Sequence, residues 1–409
     1  MMRAVYLNPI GGIGGAEVVL LQILASLKMK RPEWELYLVA GSEGPLISQA
    51  RKLGVKAEVL AFPQSVARFG EFSKEGKGHE KGGSVARLGQ VMLISPAVLL
   101  YVSKLRSLLR TYKPDLIHTN GLKMNLLGLW ARPKGVRVVW HLHDYVGNRP
   151  ITAALMRRFA SGCSTVLINS QSVLEDVRKT CPQVQNLSLF YGSVDVERFS
   201  PSGPKLDLDT LAGLPSADAN VVRVGLVGTL ASWKGHKVFL KALSLLPRGA
   251  PVRGYVIGGP IYDTEDSQHS LEELRSVAGE LKLGDRVGFT GYIDDAASAF
   301  RSLDVVVHAS TSPEPFGLVL IEAMACGRPV IASKAGGPTE IIVEGENGFF
   351  HTPGDPVSLA DRIEELVKNA DLRRRLGQSG RKTVVGRFNV TRLGSELVSI
   401  YEKIHSSTA

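Results

Sequence analysis

The sequence predicts two successive doubly wound, Rossmann-like α/β domains. Three observations carry this. Short apolar runs alternate with amphipathic helical stretches, the alternation repeats in both halves, and 409 residues exceed what one hydrophobic core ordinarily holds. In the first half, strands are expected at 4–7, 36–40, 56–60, 116–118, 137–142, 165–168 and 186–190. Helical patterns lie between them, as at 16–27 and 171–179, the latter with Ser170 placed to cap it. The second half repeats the rhythm, with strands at 222–227, 254–257, 287–289, 305–307, 330–332 and 348–350. Helices are expected at 235–246, 268–281, 317–326, 357–368 and 371–385. Such alternation gives a parallel sheet covered on both faces. Between the halves, Ser200-Pro201-Ser202-Gly203-Pro204 and the residues to Asn220 read as a linker. Two domains facing each other across a cleft are expected, with ligands beyond the carboxyl ends of the strands.

One segment departs from the rhythm. Residues 64–90 are rich in Gly, Ser and Lys and read as a mobile loop. They lead into 91–110, apolar at first and then basic through Lys104, Arg106 and Arg110. An amphipathic basic helix of this kind either lies in a membrane interface or packs on the sheet with its charges solvated.

Charge is unevenly spread. Residues 1–190 hold 25 Lys and Arg against 12 Asp and Glu, a net of +13, while the remainder hold 24 and 27. A basic half implies an anionic partner. Aromatics make up only 7% and do not cluster with the lysines, so nucleic acid ranks below a membrane surface or a phosphorylated substrate. No apolar run reaches the roughly 18 residues of a spanning helix, and the first residues enter a strand pattern without a signal-peptide core. Cys163, Cys181 and Cys326 are odd in number and form no C-x-x-C pair. A reducing cytoplasm is expected, with the basic half able to meet the inner face of the membrane.

The candidate sites lie at strand ends. The first strand runs into Asn8-Pro9-Ile10-Gly11-Gly12-Ile13-Gly14-Gly15-Ala16-Glu17 and then a helix, a turn that lets backbone approach a phosphate or sugar. A dinucleotide fingerprint would need glycine at position 17, where glutamate stands. Trp140-His141-Leu142-His143-Asp144 ends another strand, and alternation puts His141 and His143 on one face. A metal would need a further ligand, and none is at ligand spacing. Substrate contact and a structural role both remain open for these histidines. In the second half, Val227-Gly228-Thr229-Leu230 leads to Trp233-Lys234-Gly235-His236, where Lys234 suits a phosphate charge or is solvated. The densest signal is Ser312-Pro313-Glu314-Pro315-Phe316-Gly317-Leu318 through Glu322 to Gly327-Arg328-Pro329. Helix amides at 316–318 have no intrahelical acceptor. Glu322 lies in an apolar run and needs hydrogen-bond donors, either ribose hydroxyls or an internal salt bridge.

These residues carry a resemblance. The Glu314 and Glu322 pair, Trp233-Lys234-Gly235, the loop 11–17, His143-Asp144 and Ala335-Gly336-Gly337-Pro338-Thr339-Glu340 together resemble glycosyltransferase family 4. The resemblance covers essentially the whole chain and is most specific over 224–356. It implies the GT-B fold, with domains 1–195 and 196–388 and a last helix, about 389–409, crossing back to the first. It also implies a retaining enzyme that moves a hexose-type sugar from a UDP- or GDP-sugar to a glycan or lipid-linked acceptor in cell-envelope polysaccharide or glycolipid synthesis.

Position by position, it implies that Lys234 binds the donor diphosphate and Glu322 the ribose. Glu314, with the backbone of Phe316, Gly317 and Leu318, would hold hydroxyls of the transferred sugar. His143 would lie by that sugar, Gly14 and Gly15 would meet the phosphates, and Phe289-Thr290-Gly291-Tyr292 would meet the base. The catalytic set is thus His143, Glu314 and Lys234. No cofactor or metal is expected, because helix N-termini and Lys234 can stabilise the leaving phosphate. The resemblance departs at Thr229, where the family usually has an arginine that shares the diphosphate with the lysine. Arg223 and His236 are the candidates to compensate. Inverting relatives place a basic His or Asp after the first strand, and 8–16 contains neither, so retention through front-face attack is expected. Two rival classes follow: a nucleotide-sugar 2-epimerase of the same fold, and a non-catalytic nucleotide- or lipid-binding module, which Thr229 keeps open.

Overall fold

The computed structural model describes residues 1–63, 84–259 and 268–406, apart from the side chains of 84–95. The chain divides into two units, Met1–Tyr191 with Thr391–Ala409, and Gly192–Val390. Seven strands of the first unit are β1 (Arg3–Asn8), β2 (Glu35–Ala40), β3 (Lys56–Val59), β4 (Leu116–Asn120), β5 (Arg137–Leu142), β6 (Thr165–Ile168) and β7 (Leu187–Leu189). They form one parallel sheet in the order β3-β2-β1-β4-β5-β6-β7. Residues Ala4 to Leu7 of β1 are all fully buried, as a central strand covered on both faces requires. Val5 faces Tyr37 on one side and Ile117 on the other. Each such side chain contributes about 1.5–3 kcal/mol by leaving water.

The second unit repeats the plan with six strands, β8 (Val222–Val227), β9 (Val252–Ile257), β10 (Val287–Gly291), β11 (Val305–His308), β12 (Val330–Ser333) and β13 (Phe349–His351). Their order is β10-β9-β8-β11-β12-β13, again all parallel. Each sheet reverses its direction of growth once, between β1 and β4 and between β8 and β11. Loops at such a switch point part to opposite faces and leave a crevice at the strand ends.

Local signals explain most helix starts. Ser170 Oγ accepts from the Val173 amide at 3.1 Å and caps the helix Gln171–Thr180. Asp355 and Asn369 do the same for Pro356–Lys368 and Ala370–Arg387. Two expectations need correction. The helix expected from residue 91 begins at Ser84 and runs to Tyr112 with Pro96 inside it, and the rest of the expected loop, 64–83, lies outside the described residues. Tyr101, Val102, Leu105 and Leu109 of this helix are buried in its unit's core, while Leu99, Leu100, Lys104, Arg106 and Arg110 are exposed. The helix is therefore packed on its own sheet and turns a basic face outward. The supposed linker contains the helix Leu208–Leu211, and Asp209 within it is buried and accepts from Arg223, Arg253 and Tyr255. That segment is stitched to the start of β8 and β9.

The helix Thr391–Ser406 belongs to the first unit, where it packs along Gly15–Lys30 and buries Leu393, Leu397 and Tyr401. The Tyr401 hydroxyl lies 3.0 Å from that of Tyr6 and 2.6 Å from His118 Nδ1.

Candidate active site

In the second unit, β8 ends at a turn that carries Gly228 and the half-buried Thr229. A short 3-10 turn, Ser232–Lys234, precedes Gly235, whose φ of 76° is left-handed. A Cβ there would lie 1.9 Å from the Ala309 carbonyl oxygen, so only glycine seats this turn against the end of β11. Lys234 emerges from it, and its Nζ lies 2.8 and 2.7 Å from the two carboxylate oxygens of Glu314. The side chains are 21% and 15% exposed. Glu314 is held from below as well. Ser310 Oγ donates to its Oε2 at 3.1 Å, and His308 Nε2 is 3.4 Å from the same atom. Its backbone is pinned by the Gly337 amide, which donates to the Glu314 carbonyl at 2.8 Å. Burial works to raise the Glu314 pKa, but Lys234 and His308 overcome it and hold the carboxyl well below the usual carboxylate range.

Glu322 is the opposite case. It lies on the helix Leu318–Ala325, which Gly317 opens at a φ of 103°. Leu320, Ile321, Ala323 and Met324 are buried around it, and Leu318, Val319 and Glu322 share the half-buried face. Among the described residues its carboxylate has no hydrogen-bond partner, so the internal salt bridge is not formed. Burial pushes its pKa up to about 7, against a smaller pull from Arg198. The Gly317 and Leu318 amides likewise have no acceptor among the described residues. The Phe316 ring is buried against Phe388, with centroids 5.8 Å apart. Tyr292 follows β10 and is 67% exposed.

Neither candidate replacement for an arginine at 229 is in place. Arg223 sits at the opening of β8, about 16 Å of strand from the turn, and is paired with Asp209 at 3.1 Å. His236 is fully buried, and burial brings its pKa down to about 4, so it supplies no positive charge near neutrality.

In the first unit, Gly14 caps the helix Gly15–Lys30 and its amide donates to Glu17 Oε2 at 3.0 Å. That N–H is therefore taken. The Gly15 and Ala16 amides are the ones without an acceptor among the described residues. His143 follows β5, half-buried, with Nε2 2.6 Å from Asn120 Oδ1. His141 lies beside it, its ring tilted by 44° and the centroids 4.1 Å apart, as strand alternation predicts. His141 itself is fully buried with Nδ1 3.2 Å from His118 Nε2, which gives it a structural place rather than an exposed one. Burial lowers the pKa of all three histidines, to about 3 for His118 and about 4 for His143.

Sequence reasoning missed three residues that touch these side chains, His308 and Ser310 under Glu314 and Asn120 beside His143, and also the contact of Asn120 with Asn8. Asn8, Asn120 and His308 each end a strand that flanks a switch point, and that position is the signal that could have found them. Among the described residues, no three His, Cys, Asp or Glu side chains are grouped to hold a metal ion.

Two family models cover most of the chain. Residues 13–198 match "Glycosyltransferase Family 4" and residues 217–383 match "Glycosyl transferases group 1". The phosphatidyl-myo-inositol mannosyltransferase of Mycobacterium leprae is 30% identical over 333 residues, 80% of this chain and 81% of that protein. The capsular polysaccharide biosynthesis glycosyltransferase CapM of Staphylococcus aureus is 29% identical over 73% of this chain and 81% of its own length. Among solved structures, HepE of Anabaena in complex with UDP and glucose superposes with a TM-score of 0.78 at 25% identity, covering 98% of this chain and 100% of that one.

Proposed function

The chain belongs to glycosyltransferase family 4 and has the two parallel-sheet domains of the GT-B fold, and on that premise we propose a retaining hexosyltransferase. It takes a UDP- or GDP-sugar as donor and a glycan or lipid-linked acceptor of the cell envelope. The carrying observation is the Lys234–Glu314 pair set across the β8/β11 switch point, with Glu322, which has no hydrogen-bond partner among the described residues, on the helix that follows. A donor diphosphate draws Lys234 from Glu314. Ser310 and His308 keep the freed carboxylate in place, and it then accepts hydroxyls of the transferred sugar. Ribose hydroxyls supply the donors that Glu322 lacks. The Gly317 and Leu318 amides and Lys234 stabilise charge growing on the leaving phosphate, without a metal or cofactor. In the retaining step that phosphate takes the acceptor proton, and no protein nucleophile is assigned. His143 contacts the transferred sugar.

The nucleotide complex of HepE, a relative over nearly the whole chain, supports a nucleotide-sugar donor. Sugar transfer from UDP- and GDP-hexoses to polyprenyl-linked and glycan acceptors tests the reading, together with UDP and GDP binding. Glu314→Ala is expected to reduce transfer more than about 100-fold while nucleotide affinity stays within about 2-fold. Equal turnover by the variant removes Glu314 from the site. A second reading follows from Thr229 and from Lys234 standing as the one cation at the phosphate position among the described residues: the protein binds nucleotide without turnover. Saturable UDP or GDP binding with no transfer to any acceptor favours that reading.

A further inference from the structure

The sheet of the first unit carries its own cross-switch contact. Asn8 closes β1 and Asn120 closes β4, and their side chains meet at 2.7 Å, both fully out of solvent. The contact is one link of a longer run. Asn8 Nδ2 donates to the Ile10 carbonyl at 2.7 Å and to Glu17 Oε1 at 3.2 Å. At the other end, Asn120 Oδ1 stands 2.6 Å from His143 Nε2.

The direction of every bond in this run is determined. A backbone carbonyl only accepts, so the Ile10 oxygen fixes the Asn8 amide with its nitrogen toward Ile10 and its oxygen toward Asn120. Asn120 must then give its nitrogen to Asn8, which leaves its oxygen for His143. An amide oxygen only accepts, so His143 Nε2 carries the hydrogen. Glu17 closes the run as an acceptor of both Asn8 Nδ2 and the Gly14 amide, two donors that fit a carboxylate and not an acid hydroxyl. Reversing any one amide would set two lone pairs or two N–H groups face to face in a buried place, where unsatisfied groups are heavily penalised.

We propose that Asn120, Asn8 and Glu17 are positioning residues that fix His143 in the Nε2–H tautomer and tie its ring to the Gly14 loop. Burial keeps the ring neutral near pH 7, so Nδ1 holds a lone pair and can only accept. His143 thus recognises a hydroxyl donor, such as a sugar hydroxyl, and not a phosphate oxygen. The His141 ring, tilted by 44° with its centroid 4.1 Å away, and the Asn169 amide, which donates to the His143 carbonyl at 3.3 Å, hold the ring and the backbone. The consequence for turnover rests on the transferase reading above; the tautomer does not.

The test uses the full chain labelled with 15N-histidine and long-range proton–nitrogen correlation spectra at pH 7, with His143 assigned by its loss in His143→Gln. Wild-type protein is expected to show the Nε2–H pattern. Asn120→Ala removes the acceptor and should give a tautomer mixture, whereas Asn120→Asp keeps an acceptor and retains the Nε2–H pattern while breaking the link to Asn8. With UDP-glucose as donor, Asn120→Ala and Glu17→Gln are expected to lower kcat about 10-fold with donor KM within about 2-fold. An Nδ1–H pattern in the wild type, or an unchanged pattern in a folded Asn120→Ala protein, overturns the proposal. If Asn120→Ala does not fold, the wild-type and Asn120→Asp spectra decide. Should the tautomer follow Asn120 while His143→Gln transfers sugar at the wild-type rate, the hydrogen-bond assignment stands and the role of His143 in transfer falls.

Discussion

Lys234 and Glu314 neutralise each other across the point where the second sheet reverses, each carboxylate oxygen within 2.8 Å of the ammonium nitrogen. The ion pair keeps in one place the two groups that a nucleotide-sugar donor would separate. It is also a pH-sensitive contributor to the fold. A carboxyl whose pKa is depressed in the folded state stabilises above its unfolded value and loses that contribution as pH falls through the folded value. Lys234→Ala removes the ammonium partner of Glu314 and leaves the Ser310 hydroxyl and the His308 imidazole beside it. Urea unfolding should show a loss of about 2 kcal/mol at pH 7, a figure reduced from that of a fully buried pair for partial exposure, and a shallower decline as pH falls below about 4.5.

Glu322 behaves in the opposite sense. Its folded pKa of about 7 lies above the unfolded value, so the folded chain holds a proton that the unfolded chain releases between about pH 4.5 and 7. Stability from this group is present at low pH and lost as pH rises through 7. Glu322→Gln should therefore raise the unfolding midpoint of the nucleotide-free protein at pH 8, by about 2–4 °C per kcal/mol recovered. The same variant should bind UDP or GDP more weakly. Wild-type nucleotide affinity should rise from pH 6 to 8. Calorimetric scans and titrations check both signs.

The buried histidines of the first unit set an acid limit. His118, His141 and His143 have lowered pKa values, so below about pH 6.5 the unfolded chain takes up protons that the folded chain refuses. Stability should fall with decreasing pH by up to about 1.4 kcal/mol per unit for each histidine. His118→Gln should flatten that slope in denaturant titrations between pH 6.5 and 5.

Tyr401→Phe removes one oxygen and orphans two buried groups, the Tyr6 hydroxyl and His118 Nδ1. A loss of about 2–4 kcal/mol is expected, since each unsatisfied group costs roughly 1–3 kcal/mol. Pairing it with Tyr6→Phe should recover part of the loss, and a double-mutant cycle measures how much.

The outward face of Ser84–Tyr112 places Leu99 and Leu100, 67% and 58% exposed, beside Lys104, Arg106 and Arg110. Vesicles containing anionic lipid should capture the protein at low salt and release it at high salt, as screened surface charge requires. Replacing the three cations with glutamine should abolish capture in a sedimentation assay. Salt-insensitive partitioning would remove the electrostatic account.

The strands and the residues of the second unit's site were legible in the sequence because each depends on local pattern. Buried parallel strands read as apolar runs, and Lys234, Glu314 and Glu322 stand at glycine-marked turns or in an apolar helix. What the pattern could not carry was partnership. Whether Lys234 is solvated or paired turns on Glu314, which is 80 residues away. The polar chain from Asn8 to His143 joins residues 112 and 23 apart, and a lone asparagine at a strand end looks the same with or without such a neighbour. The early start of the helix at Ser84 was hidden by Gly89 and by the glycine-, serine- and lysine-rich residues before it.

The helix Thr391–Ser406 closes a core whose other members are made before the second unit. A ribosome has released every residue of the second unit, through Val390, before Leu393, Leu397 and Tyr401 emerge to cover the first. The usual amino-to-carboxyl order of cotranslational folding is thereby inverted for this pair of units. The first unit must wait, with the Tyr6 hydroxyl and His118 Nδ1 lacking the Tyr401 hydroxyl, while the second can already be native. Chains stalled or trimmed near residue 390 should therefore carry a finished second unit beside an unfinished first, and offer chaperones and proteases their target at the opposite end from the break.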